Sequence, residues 1–253
     1  MLWIEPQGVR IGLLGDKAAW LPQVGALVIA DPHFGKAATF RAAGVPVPEA
    51  VTDRDLARLD RLLQETCASR LVVLGDLLHA KSGVTGALLA RLSAWRETWA
   101  ALPVVNIRGN HDRSAGDPPA SLGIEVRTAG GFDLNKSGTP GSVVGFAHEP
   151  QDVAGAPLTL CGHLHPAVRL KTPGRRGGSM RIACFWQTAG RLIFPAFGGF
   201  TGAAIIRPKP GDGVYAVLPG DHNGPAEVID AAALTGAARS PRRSAGTVQT
   251  SPE

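Results

Sequence analysis

Five short motifs, each set directly after a run of apolar residues, carry most of the chemistry this chain can offer. They are Asp31-Pro32-His33, Gly75-Asp76, Gly109-Asn110-His111-Asp112, His148 within Ala147-His148-Glu149-Pro150, and Gly162-His163-Leu164-His165. Five of the seven histidines lie inside them. The side chains they supply are carboxylate, amide and imidazole, a nitrogen and oxygen set able to hold two divalent metal ions. No cysteine joins the set, which argues against a structural zinc site. Two ions about 3.5–4 Å apart can share a hydroxide and clamp phosphoryl oxygens, so the set suits hydrolysis of phosphate esters. Mn is the expected ion; Fe, Zn and Ni stay open, because affinity order alone does not choose among them. Any one of these motifs is common by chance. Five in order, each behind an apolar strand, are not.

The elements that must position these residues are legible as apolar runs. Val24 to Ala30, Leu71 to Leu74, Val104 to Ile107, Val143 to Ala147 and Leu158 to Cys161 each predict a buried strand ending at a ligand motif. Ligand loops in layered α/β folds collect at strand C-termini, so this placement is physically sensible. Helical spacing over Glu49 to Ala68 puts Val51, Leu56, Leu59, Leu62 and Leu63 on one stripe, with Arg54, Arg58, Arg61 and Glu65 as polar partners. Gly83 to Leu102 predicts a second amphipathic helix with Leu88, Leu89, Leu92, Trp95, Trp99 and Leu102 as its apolar face. Strands alternating with helices argue an α/β fold up to about residue 110. Beyond residue 120 the pattern turns to short strands separated by Gly-, Pro- and Ser-rich turns, including Ile124 to Arg127, Ala167 to Leu170, Met180 to Trp186, Arg191 to Phe194, Ala203 to Arg207 and Val214 to Leu218. Ser114 to Ser121 and Lys171 to Ser179 predict loops.

The chain has 253 residues, 44% of them hydrophobic and 19% charged, enough to bury a sizeable core. One domain over residues 1–234 is expected, followed by a disordered tail over 235–253 of Ala, Ser, Arg, Gly and Pro without periodicity. No apolar stretch reaches the roughly 18 residues of a membrane span, and the N-terminus lacks the pattern of a secretory signal. Cys67, Cys161 and Cys184 are too few for a disulfide framework and predict three reduced core thiols in a cytoplasmic protein. A net charge of +5, part of it from the tail residues Arg239, Arg242 and Arg243, is a weak electrostatic case for nucleic acid.

The order D-x-H, G-D, G-N-H-D, H, G-H-x-H is matched in full from residue 31 to residue 165, and in this the chain resembles the metallophosphoesterase (calcineurin-like) superfamily. The resemblance implies a four-layered α/β sandwich: two packed mixed β-sheets flanked by helices. It implies one metal ion held by Asp31, His33, Asp76 and His165, and a second held by Asp76, Asn110, His148 and His163, with Asp76 bridging. His111 is then no ligand; it stabilises the transition state or protonates the leaving oxygen, and Asp112 orients its ring. Ala30-Asp31-Pro32-His33-Phe34-Gly35-Lys36, Phe40 to Pro48 and Phe194 to Gly202 narrow the likeness to the PdeM-type ligase-associated DNA-damage-response endonucleases, over about residues 1 to 220. Pro32, where a leucine is usual, and Ala203, where a further glycine is expected, depart from that pattern without touching a ligand. The narrower resemblance implies DNA as substrate, and an ATP-dependent DNA ligase, a helicase-related protein and an exonuclease as partners. A small-molecule phosphodiesterase or phosphomonoesterase on the same scaffold is the rival, because specificity lies outside the metal motifs; a metal-bound scaffold without activity is the other.

Further candidates surround these motifs. His79, three residues after Asp76, is placed to reach substrate or support a ligand. Lys36, Arg41 and Arg108 are candidate phosphate contacts, against a solvated helix face for the first two. Phe197 and Phe200 are candidates for stacking on a base, against packing in a β-core. Arg175 and Arg176 either meet phosphates or solvate their loop, and His222 has no assigned role.

Overall fold

The computed structural model describes residues 1–48, 50–133, 143–171, 178–220 and 226–232. Arg175, Arg176, His222 and the tail from residue 235 lie outside them. The first sheet runs, in spatial order, β1 (Leu2–Ile4), β2 (Ile11–Leu14), β3 (Ala18–Leu21), β4 (Ala26–Ile29), β5 (Arg70–Val73), β6 (Val104–Ile107) and β7 (Ile124–Arg127). Its first four strands are an antiparallel meander and its last four are parallel. Parallel neighbours need crossovers, supplied by α2 (Val51–Thr66) and α3 (Gly86–Thr98). Two short helices, α1 (Lys36–Ala42) and α4 (Asn110–Ala115), follow the ligand loops after β4 and β6.

The second sheet holds β8 (Gly130–Asp133), β9 (Val143–Ala147), β10 (Leu158–Cys161), β11 (Pro166–Lys171), β12 (Ser179–Thr188), β13 (Arg191–Ile193), β14 (Ala204–Ile205), β15 (Gly213–Leu218) and β16 (Glu227–Asp230). Its spatial order is β14-β11-β12-β13-β10-β9-β8, with β15 on β12 and β16 on β15. β9, β10 and β13 are parallel, so β9 and β10 deliver their C-termini to the same edge.

The apolar runs form strands buried on both faces. In β4 and β5, Ala26, Val28, Val72 and the following Leu74 face the second sheet, where they meet Val144, Phe146, Leu158, Leu160 and Phe194. Leu27, Ile29, Leu71 and Val73 point the other way and pack on Leu56, Leu59, Leu62 and Leu63 of α2 and Leu88, Leu92 and Trp95 of α3. Period-2 alternation with apolar residues on both faces gives a continuous run in the sequence. The two helices are tied together by one carboxylate: Trp95 and Trp99 both donate their indole N–H to Asp60 Oδ1, at 2.8 and 2.7 Å. Thr85 accepts from Leu88 N at 3.2 Å and so fixes where α3 begins. The result is two packed mixed sheets with flanking helices, the layered α/β sandwich expected.

Three differences from expectation have physical reasons. β1, β2 and β3 carry no alternation signal, because they are three or four residues long and β2 is buried on both faces. Thirteen residues of α3 form the helix, short of the predicted span at both ends, since Thr85 caps it and the chain leaves it at Trp99. Cys67 is exposed at the left-handed end of α2 and is no core thiol; Cys161 and Cys184 are buried, and all three are free. Burial pushes the Cys161 thiol up to about 11 and the Cys184 thiol up to about 12, which keeps both protonated.

Candidate metal centre

The five motifs converge where the parallel strands of both sheets end. β4 delivers Asp31 and His33, the loop after β5 delivers Asp76, and α4 after β6 delivers Asn110. From the second sheet β9 delivers His148, and the loop after β10 delivers His163 and His165. Hydrogen bonds between neighbouring loops hold the array: Asp31 N donates to Gly75 O at 3.2 Å, His33 N to Asp76 O at 2.9 Å and Gly162 N to His148 O at 2.9 Å. Asp31, His33, Asp76, His163 and His165 all have φ between 46 and 69°. These are five of the eight non-glycine residues with positive φ, so the backbone strain of the described chain is concentrated at this centre. Left-handed backbone reverses the chain within one residue and turns successive side chains of each motif inward. Gly75, at φ 85°, and Gly109 lie beneath them; a Cβ on the first would overlap the His148 ring, and on the second the Asp76 carboxylate.

Two clusters result. In the first, His165 Nε2 lies 3.3 Å from Asp31 Oδ1, and His33 Nε2 lies 3.7 Å from Asp76 Oδ2. Asp31 Oδ1, His33 Nε2 and His165 Nε2 are buried without a hydrogen-bond partner. Three such atoms facing one another are costly unless a cation sits among them. In the second cluster, Asn110 Oδ1 is 2.9 Å from His148 Nε2 and 3.0 Å from His163 Nδ1, and the two ring nitrogens are 3.1 Å apart. His148 Nδ1 faces Leu74 O at 2.8 Å and so carries that ring's proton, which leaves Nε2 a lone pair. Only His163 can then bring a hydrogen to this cluster. Asp76 serves both sides: its Oδ1 is 3.5 Å from His148 Nε2 while its Oδ2 faces His33. Burial pushes the His33 imidazole down to about 2, with the Lys36 charge adding to it, and keeps the ring in the neutral form a metal ligand requires. Burial pushes the Asp76 carboxyl up.

A calcineurin-like phosphoesterase family model matches residues 26–166, a stretch that contains every one of these donors. The chain belongs to the calcineurin-like phosphoesterase family. Among solved structures, Pseudomonas putida nuclease MPE is 41% identical, over 85% of this chain and 96% of that one, with a TM-score of 0.69. Yfce, a phosphoesterase from E. coli, is 15% identical, over 77% of this chain and 88% of that one, with a TM-score of 0.38. No curated protein matches. As a member of this family the chain is a hydrolase acting on phosphoester bonds, and the clusters fit the divalent metals that calcineurin-like phosphoesterases bind.

The remaining candidates of this phosphoesterase divide sharply. His111 lies beside the first cluster, its ring 4.8 Å from that of His33, and its backbone N–H donates to Asp76 Oδ1 at 2.9 Å. Asp112 does not orient it. Both Asp112 oxygens are spent on the loops beneath: Oδ1 accepts from Leu78 N at 3.0 Å, and Oδ2 from Gly109 N at 2.9 Å and Asn106 Nδ2 at 3.0 Å. The His111 ring is fixed instead by the His79 carbonyl, which faces its Nδ1 at 2.8 Å. His79 belongs to the centre: its ring stacks on His111 at 4.7 Å, and its Nδ1 is 3.2 Å from His33 Nδ1. Burial pushes it down to about 4. Lys36 is half-buried and close enough for Asp76 and Asp31 to favour its charge, although burial wins and lowers its pKa.

Phe197 cannot stack on a base. It is 0% exposed, packed in the helix-side core, with the Arg58 guanidinium 4.0 Å over its ring. Phe200 is 37% exposed and meets Phe40 edge-on at 5.3 Å, so it remains available. Arg41 donates to Val47 O at 3.1 Å and braces the turn after α1. Arg108 is paired with Asp117 through two bonds, one of them at 2.9 Å. Arg113 and Glu149 at the mouth carried no sequence signal of their own; Arg113 could have been found as the residue one helical turn after Asn110.

Proposed function

We propose that this phosphoesterase is a DNA endonuclease that works with two divalent ions, Mn first among them, in ligase-associated DNA repair. What supports the reading most is the 41% identity with a nuclease over 85% of the chain. Asp31, His33, Asp76 and His165 would hold one ion and Asp76, Asn110, His148 and His163 the other. Ions bound there would supply a water-derived nucleophile at neutral pH and draw charge from the phosphoryl oxygens. The side chains do the rest. Water adds to phosphorus and gives up a proton to solvent, the P–O bond to one nucleoside breaks, and the departing oxygen takes its proton from His111, which solvent then reprotonates. The His79 carbonyl holds Nδ1 of that ring, so Nε2 is the nitrogen that delivers the proton. The partners implied for this role are an ATP-dependent DNA ligase, a helicase-related protein and an exonuclease, in the cytoplasm; none of the described helices is long and apolar enough to cross a membrane.

The test is supercoiled plasmid with Mn, run beside a chromogenic phosphodiester and the matching monoester. Relaxed or linear plasmid and preference for the diester are expected. Intact plasmid with rapid monoester turnover would sink the nuclease reading and leave a phosphomonoesterase.

A further inference from the structure

Beside the second cluster the two sheets leave a groove of 520 Å³, within the size range of ligand sites. Its walls come from the end of β6, from α4 and from the loop after β9. They include Arg108, Arg113, Glu149 and Gln151, together with His148. The groove therefore shares a lining residue with the metal centre and carries two arginines.

The arginines are not equivalent. Arg108 is committed to Asp117 by two bonds from its guanidinium. Arg113 sits one turn after Asn110 on α4, so its position is tied to the second cluster. Its Nε reaches Gly109 O at only 3.4 Å and its Nη2 reaches Glu149 Oε1 at 3.4 Å. Both members of that pair are more than half exposed, at 62% and 53%. An exposed pair so long is weak, weaker than a charge-assisted bond from a guanidinium to a phosphate.

We propose that this groove is a subsite for a backbone phosphate next to the scissile one, with Arg113 as the cation that takes it and Glu149 as the carboxylate that competes for it. The proposal rests on the nuclease reading, since the second phosphate is that of a polynucleotide backbone. Binding exchanges Glu149 for phosphate on the same guanidinium. Removing the arginine weakens the subsite, and removing the charge of the glutamate strengthens it. Opposite signs at two side chains in contact separate an electrostatic subsite from damage to the loop they share.

The experiment measures kcat/KM on an oligonucleotide relative to a chromogenic phosphodiester, and oligonucleotide binding across a salt series, for wild type, Arg113→Ala and Glu149→Gln. Arg113→Ala should lower the ratio by about tenfold or more at low salt, the scale of one bond to a charged group. It should also make the salt slope shallower by about one phosphate contact. Glu149→Gln should raise the ratio several-fold. A ratio and slope unmoved by Arg113→Ala, or a fall in the ratio with both variants, overturns the subsite. Wild-type protein that turns over the small diester and leaves oligonucleotides intact overturns the nuclease reading and the subsite with it; oligonucleotide cleavage indifferent to Arg113 overturns the subsite alone.

Discussion

The two halves of the candidate metal centre are built differently. The half made by Asp31, His33 and His165 leaves three buried polar atoms without partners, with His165 Nε2 3.3 Å from Asp31 Oδ1. The half made by Asn110, His148 and His163 has its facing atoms 2.9 to 3.1 Å apart, the spacing of neighbouring ligands about one ion when the bonds are about 2.1 Å long. The backbone differs as well: all three residues of the first half lie in the left-handed region, whereas in the second half only His163 does. The first half also brings a carboxylate of its own, Asp31, where the second brings the neutral amide of Asn110. Donor charge, more than spacing, is what separates the two.

The sharpest challenge to this comparison is Asp76, the residue the halves share. Asp76→Ala is expected to abolish turnover and to remove metal from both halves of the purified protein. Metal analysis beside a rate assay decides it: two ions per chain and normal activity would show that no carboxylate bridges.

His111 tests whether chemistry can be separated from either half. His111→Ala should keep its metal while the rate falls by roughly 10²–10⁴, the range for a positioned acid or base. The loss should shrink for esters with good leaving groups, which need little protonation. A uniform loss across a leaving-group series would make His111 a positioning residue, and lost metal would make it a ligand.

The smallest effect bears on the comparison itself. Titration with a chelator should strip the two ions in stages, the one at Asn110, His148 and His163 leaving first, because Asp76 is its one carboxylate whereas the other half adds Asp31. Asp31→Ala should accordingly weaken metal binding more than Asn110→Ala, read by stoichiometry and by the rise in melting temperature on adding Mn. The reverse order would mean that carboxylate charge does not set which ion is held more tightly.

Much of this was legible beforehand. β6, β7, β9 and β10 begin and end at the residues that the sequence pattern predicted, and the side chains of the five motifs lie side by side. The misses share a cause, which is that they depend on what lies across the fold. Phe197 could be read either as a stacking aromatic or as core, and its packing in the helix-side core, with Arg58 over its ring, decides for core. Asp112 is next to His111 in sequence, yet its oxygens serve Leu78 in the loop after β5, Asn106 of β6 and Gly109 at the start of its own helix. The seven residues of α1 are too few to show a helical period, and Gly35 before them has no capping side chain.

The left-handed ligand residues have a consequence for how this sequence can change. Backbone of that kind costs on the order of 1–3 kcal/mol per non-glycine residue. Five of them together cost on the order of 5 kcal/mol even at the low end, against a net domain stability of about 5–15 kcal/mol. Among the described residues most of the left-handed strain thus lies at this one spot. A redesign guided by folding stability alone would place glycine or asparagine at these positions and improve the fold. It would do so by deleting Asp31, His33, Asp76, His163 and His165, so the most stable version of this chain is one that cannot hold a metal.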